Sequence, residues 1–197
     1  WEEVLGQLTH TMASTHAVVA VCGARNVGKS TLVRLLLNGA LRTQRDEGAV
    51  ALLDCDLGQP EIGLPGFVSL HVVSKPLFGP PHTHVRPAHA SVFVGSVSPA
   101  ADPGLFAGAV ARLAIVARTT LPGLSVVVNT CGWTSGLGLQ LLADVLAAAS
   151  PTHVIQLTAS SEAADHGLCQ LLANATVGAA EGPSILRLSG LRSPAQP

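Results

Sequence analysis

Nine consecutive residues, Gly23-Ala24-Arg25-Asn26-Val27-Gly28-Lys29-Ser30-Thr31, carry the most specific chemistry in the chain. They match G-x-x-x-x-G-K-[ST], a loop whose backbone N–H groups converge on phosphate oxygens. Gly23 and Gly28 permit backbone conformations and close approaches that a Cβ would obstruct. Lys29 has the reach to meet β- and γ-phosphates, and the Ser30 hydroxyl can sit on Mg²⁺. Phosphoryl chemistry also needs acids to hold the metal and, where a hydroxyl is the acceptor, to take its proton. Two later strand ends compete for that role. One runs into Asn129-Thr130 and offers no carboxylate; the other runs into Asp54-Cys55-Asp56-Leu57-Gly58-Gln59. Asp54 and Asp56 are a strand period apart and so are expected to face the same side. Which of them holds metal and which serves the acceptor stays open at this level. No N-K-x-D element is present to read guanine, so adenosine is the default base.

These groups need a scaffold. Val18 to Cys22 is a continuous apolar run, the pattern of a strand buried on both faces of a parallel sheet. Leu32 to Asn38 continues the phosphate loop at helical spacing, so strand, loop and helix follow in the order that aims a helix N-terminus at the anion. Asn38-Gly39 is expected to stop that helix. Further strands are expected at 49–53, 67–73, 90–95, 124–128, 153–157 and 184–188. Helices are expected at 1–8, 102–119, 138–149 and 161–174. Strands alternating with helices imply an α/β fold: a three-layer phosphate-loop NTPase architecture around a mostly parallel sheet. No repeat or linker divides residues 1–197, so one domain is expected, with 193–197 a frayed tail.

Composition narrows the partners. The 197 residues are 48% hydrophobic and 12% charged, with net charge −1, so there is no electrostatic footprint for a polyanion. Cys22, Cys55, Cys131 and Cys169 lie far apart without a C-x-x-C pair and read as reduced, mostly buried thiols. No run approaches the roughly 18 apolar residues of a membrane span, since Leu105 to Ala117 is broken by Gly108 and Arg112. The chain carries no signal peptide and begins on Trp1 rather than Met, so it is expected to be a piece of something longer.

Taken in order, Gly23 to Thr31, Asp54-Cys-Asp-Leu-Gly-Gln-Pro-Glu61, Pro65-Gly66, Gly79-Pro-Pro-His-Thr-His-Val-Arg86 and Asn129-Thr-Cys-Gly-Trp133 resemble the polynucleotide 5′-hydroxyl kinases of RNA processing. The likeness is to the nucleolar, pre-ribosomal branch rather than to the mRNA-cleavage and tRNA-splicing branch, and it spans about residues 17 to 157. It implies transfer of the ATP γ-phosphate to the 5′-hydroxyl of RNA, with DNA as a second acceptor, in the nucleus and nucleolus, beside a processing endonuclease. It also implies ATP and Mg²⁺ as cofactors. Carried over by residue, Gly23 to Thr31 binds the triphosphate, Lys29 stabilises charge in transfer, and Ser30 helps hold Mg²⁺. Asp54, Asp56 and Gln59 form the metal and acceptor side, with Asp56 a metal ligand. Thr130 and Trp133 match a clasp that closes over the phosphates, and Thr83, His84 and Arg86 become acceptor-side candidates.

One departure matters. Members of that family close the site with a lid carrying R-x-x-x-R, whereas Ser160 to Gly182 here has no arginine or lysine, and Arg187 and Arg192 stand at the wrong spacing. The lid is then expected past Pro197, or transfer is impaired. Two alternatives follow: an ATP-binding scaffold of a processing complex, and a small-molecule kinase or ATPase. His82, His84 and His89 lack an accompanying Cys or acid and read as a loop without metal. Arg25 either touches phosphate or is solvated. Asp165-His166 near Cys169 reads as helix-surface decoration.

Overall fold

The computed structural model describes residues 1–43, 48–158, 166–176 and 182–190. The start of the expected 161–174 helix, Asp165, Arg192 and the 193–197 tail fall outside them.

Among the described residues, seven strands form one sheet: β1 (Val18–Gly23), β2 (Val50–Asp54), β3 (Phe67–Val73), β4 (Ala90–Phe93), β5 (Val126–Asn129), β6 (His153–Thr158) and β7 (Ser184–Ser189). Their spatial order is β4-β3-β2-β5-β1-β6-β7. Pairing is parallel from β2 through β5, β1 and β6 to β7, while β3 and β4 add an antiparallel edge. The expected mostly parallel α/β sheet is what the chain forms.

Alternation along β1 shows why its sequence is apolar without a break. Val19 and Val21 pack into one core beneath α1 (Glu2–Ser14) and α2 (Lys29–Thr43). Ala20 and Cys22 pack into the other, under α3 (Pro103–Thr120), α4 (Leu137–Ala149) and α5 (His166–Thr176). A strand covered on both faces has no polar side to show.

Two helix boundaries differ from expectation. α1 runs to Ser14, because Leu8 and Met12 bury in the core beside the sheet, while the hydroxyls of Thr9, Thr11 and Ser14 are satisfied by carbonyls one turn earlier. α2 does not stop at Gly39 but continues to Thr43. Gly39 is where α1 crosses it: a Cβ there would lie 2.5 Å from Thr9 Cγ2. The glycine serves a close helix crossing and terminates nothing. α3 starts as its sequence demands, with the Asp102 carboxylate accepting from Leu105 N–H at 2.8 Å and Pro103 in the first turn.

The three central strands end together. Val21 and Asp54 both register with Asn129, so the carboxyl ends of β1, β2 and β5 open on one crevice. The helices after β1 and β5, α2 and α4, leave on opposite faces, the arrangement in which ligands of open α/β sheets bind.

Candidate functional site

The phosphate loop crosses from β1 to α2 in a shape its residues are chosen for. Gly23 has φ +149° and faces β6 so closely that a Cβ would lie 2.5 Å from the Leu157 carbonyl oxygen. Gly28 has φ +98°, and Asn26, a side chain that tolerates the left-handed region, has φ +61°. α2 begins at Lys29, so its first-turn N–H groups point into the loop without partners in their own helix.

A cleft of about 1450 Å³ opens over this loop. One wall is the loop and first helical turn, contributing Ala24, Arg25, Asn26, Gly28, Lys29, Ser30 and Thr31. Facing it are Asp56, Leu57, Gly58 and Gln59 after β2, Val97 to Ala100 after β4, and Cys131, Gly132 and Trp133 after β5. Among the described lining residues, Arg25 and Lys29 are the cations.

Lys29 is nearly buried, and its Nζ donates to the Ala24 carbonyl at 2.7 Å. Burial lowers its pKa, and the opposing charge of Asp56 pulls it back up. Gly132 closes in from the β5 side: a Cβ there would lie 2.9 Å from both Arg25 N and Lys29 Nζ. Trp133 forms the next part of the wall, its indole seated on Gly138 of α4, where a Cβ would come within 2.2 Å of the ring.

The two aspartates part company. β2 ends at Asp54 and the chain turns, so a strand period no longer relates them. Asp54 is buried, away from the cleft, accepting from Glu61 N–H (2.6 Å), Asn129 Nδ2 (2.9 Å) and Asp56 N–H (3.2 Å). Desolvation pushes its carboxyl up to about 7 against the pull of those bonds. Asp56 lines the cleft; Oδ1 accepts from Gly58 and Gln59 N–H, leaving Oδ2 unbonded among the described residues.

Other expected side chains do not line the cleft. Val27 stays in the loop with its side chain buried in the apolar core. Thr130 is buried beneath the loop, donating its hydroxyl to the Val21 carbonyl at 2.8 Å. Thr83 is exposed and donates to the Pro80 carbonyl, and Arg86 Nε donates to the His84 carbonyl. His82 is exposed, His89 bonds Thr120, and His84 is buried beside Glu61 at 3.1 Å. Arg187, on β7, bonds Gln156. Cys22 and Cys55 are buried and reduced, and burial pushes the Cys22 thiol up to about 12.

Sequence reasoning missed three parts. Val97 to Ala100 forms a wall with no motif to announce it. Cys131 and Gly132 stood inside a quoted element without a role. The group of buried Glu61 and His84 with partly exposed Arg34 joins residues far apart in sequence, and a buried carboxylate has no local signature.

Known proteins place this geometry. The family described as mRNA cleavage and polyadenylation factor CLP1 P-loop matches residues 23–181. A Danio rerio polynucleotide 5′-hydroxyl-kinase NOL9 is 36% identical over 165 residues, covering 84% of this chain and 22% of that protein. Its Homo sapiens namesake is 38% identical over 139 residues, covering 71% and 19% respectively. The chain thus spans about a fifth of the length of these relatives. The solved complex of wild-type Clp1p with Pcf11p superimposes with TM-score 0.74 over 96% of this chain and 47% of Clp1p, at 16% identity, a likeness of fold.

Proposed function

The chain belongs to the CLP1 P-loop family, and on that premise we propose that the protein carrying it transfers the γ-phosphate of ATP to the 5′-hydroxyl end of a polynucleotide. One observation carries the reading: Lys29 and Asp56 stand on facing walls of a single cleft at the carboxyl ends of β1 and β2. The cleft's volume of about 1450 Å³ exceeds the roughly 300–1,000 Å³ of a single-ligand pocket, which leaves room for a nucleotide and an acceptor end. RNA in pre-ribosomal processing, a nucleolar setting and an endonuclease that generates the 5′-hydroxyl belong to the same proposal. They rest on the resemblance to the named kinases.

The residues present suit ATP and Mg²⁺. The phosphate loop offers its N–H groups and the positive end of α2 to the triphosphate. Lys29 exchanges its bond to the Ala24 carbonyl for phosphate oxygens, and its near-burial strengthens that attraction. Ser30 and the free oxygen of Asp56 would hold Mg²⁺, which when bound neutralises charge on the β- and γ-phosphates. Asp56 and Gln59 then orient the acceptor side, while Asp54, bonded wholly within the protein, holds the loop that presents them. Phosphoryl transfer asks mainly for such alignment and charge neutralisation. Trp133 and Gly132 shape the wall and exclude water.

The test uses the full-length protein with γ-labelled ATP, Mg²⁺ and a 5′-hydroxyl RNA oligonucleotide. Lys29→Ala and Asp56→Ala should each cut labelling on the order of 10²–10⁴-fold. Equal labelling by the variants would defeat the assignment. A second reading, a nucleotide-dependent scaffold, is favoured by the lack of arginine or lysine between Ser160 and Gly182. ATP binding without transfer in the full-length protein would select it, and transfer to nucleosides instead of oligonucleotides would select a small-molecule kinase.

A further inference from the structure

Glu61 lies behind the acidic loop, its side chain fully buried. Its Oε1 is 3.0 Å from Arg34 Nε and 3.1 Å from His84 Nδ1, and its backbone N–H donates 2.6 Å to Asp54 Oδ2. Three separate segments therefore meet at one residue. Arg34 belongs to α2, the helix that Lys29 begins, and its Nη1 also donates to the Gly79 carbonyl at 2.8 Å. One turn further along α2, Asn38 clamps Leu77 through both backbone groups, at 2.9 and 2.7 Å. The other ring nitrogen of His84 is 2.9 Å from the Phe78 carbonyl oxygen.

Burying a carboxylate carries a desolvation cost even when it is paired, and a well-packed apolar group often stabilises as much or more. Glu61 Oε2 has no hydrogen-bond partner among the described residues, and Arg34 Nε meets Glu61 Oε1 as an ion pair without hydrogen-bond geometry, so the cluster is not arranged for maximal stability. What charge supplies here is register. A continuous set of contacts runs from Arg34 to Glu61, from Glu61 N–H to Asp54, from Asp54 to Asp56 N–H, and from Asp56 to the N–H groups of Gly58 and Gln59.

We propose that Glu61 is a positioning residue that locks the acidic loop to the phosphate-loop helix through Arg34 and His84, so that Asp56 faces Lys29 across the cleft. It touches neither nucleotide nor acceptor. The inference rests on the transfer reading above for what Asp56 does once it is placed.

Glu61→Gln keeps the shape and removes the charge. In the full-length protein, ATP binding is measured by calorimetry with Mg²⁺ and with EDTA, alongside transfer kinetics and thermal melting. The variant should lose most of the Mg²⁺-dependent gain in affinity while its EDTA affinity stays within about twofold. Its kcat should fall roughly tenfold to a hundredfold, the scale of a misplacement of about 1 Å, with a smaller change in the KM for ATP. A variant that keeps both the Mg²⁺-dependent gain and kcat overturns the proposal. Glu61→Met with Arg34→Met separates positioning from stability, since an apolar pair can restore the melting temperature but not the register. Recovery of kcat together with melting temperature would make the cluster merely structural and overturn the idea; recovery of melting temperature alone supports it. If the wild-type protein labels no oligonucleotide yet Glu61→Gln still loses the Mg²⁺-dependent gain, the transfer reading fails and the positioning role stands.

Discussion

At the scale of single residues, the site depends on side chains that are absent as much as on those present. Gly132 admits the phosphate loop to the β5 side, and Gly138 gives the Trp133 indole its seat. Both glycines were visible in the sequence, but neither need was, because the atoms they make room for come from other elements. Gly138→Ala is an informative variant. In a helix, Ala gains about 1 kcal/mol over Gly in intrinsic propensity, so a change confined to α4 would stabilise it. Here the new methyl meets the base of the indole, which cannot swing aside as a chain end would. The variant should bind ATP several-fold more weakly and shift Trp133 emission, read against a Trp1→Phe background. Unchanged affinity and emission would show that Trp133 is not held by this contact. The aspartate pair teaches the same lesson. Spacing located both acids, but only the turn after β2 and the donors from Glu61 and Asn129 sent Asp54 inward and left Asp56 in the cleft.

At the scale of elements, long apolar runs were legible and boundaries were less so. Phe67–Val73 forms as a strand over the range its alternation marks, since one strand's pattern needs no partner to be read. The end of α2 was misplaced because Asn-Gly is a common helix stop, whereas here Gly39 lies under Thr9 of α1. That crossing yields a paired expectation. Gly39→Ala should destabilise the protein by about 1–3 kcal/mol in urea unfolding despite its better propensity, as overpacking does. Adding Thr9→Ser removes the offending Cγ2 and keeps the hydroxyl that bonds the Leu5 carbonyl, so the double variant should recover most of the loss. Additive losses would mean that the two helices do not meet as described.

At the scale of the whole molecule, the antiparallel β3–β4 edge carries a buried histidine with a pH signature. Burial first, and the Arg86 charge second, hold the His71 imidazole down to about 4, while its Nε2 lies 3.0 Å from Ser69 Oγ. Between the ordinary histidine value near 6.5 and about 4, the unfolded chain binds a proton that the folded one refuses. Stability from this group is therefore whole above that window and is lost as pH falls through it. Between about pH 7.5 and pH 4.5 the protein should lose on the order of 2–3 kcal/mol more than a His71→Gln variant. Parallel losses would show that His71 takes up its proton while folded. The same scale divides what was legible from what was not. The sequence alone determined the α/β class, the strand–loop–helix at the phosphate loop and the presence of Asp54 and Asp56 at one strand end, because periodicity and loop chemistry act over a few residues. Strand order, the opposite departures of α2 and α4, and the meeting of Arg34, Glu61 and His84 were decided by tertiary structure. Each depends on which surfaces bury one another across long stretches of chain, and that is a property of the assembled core.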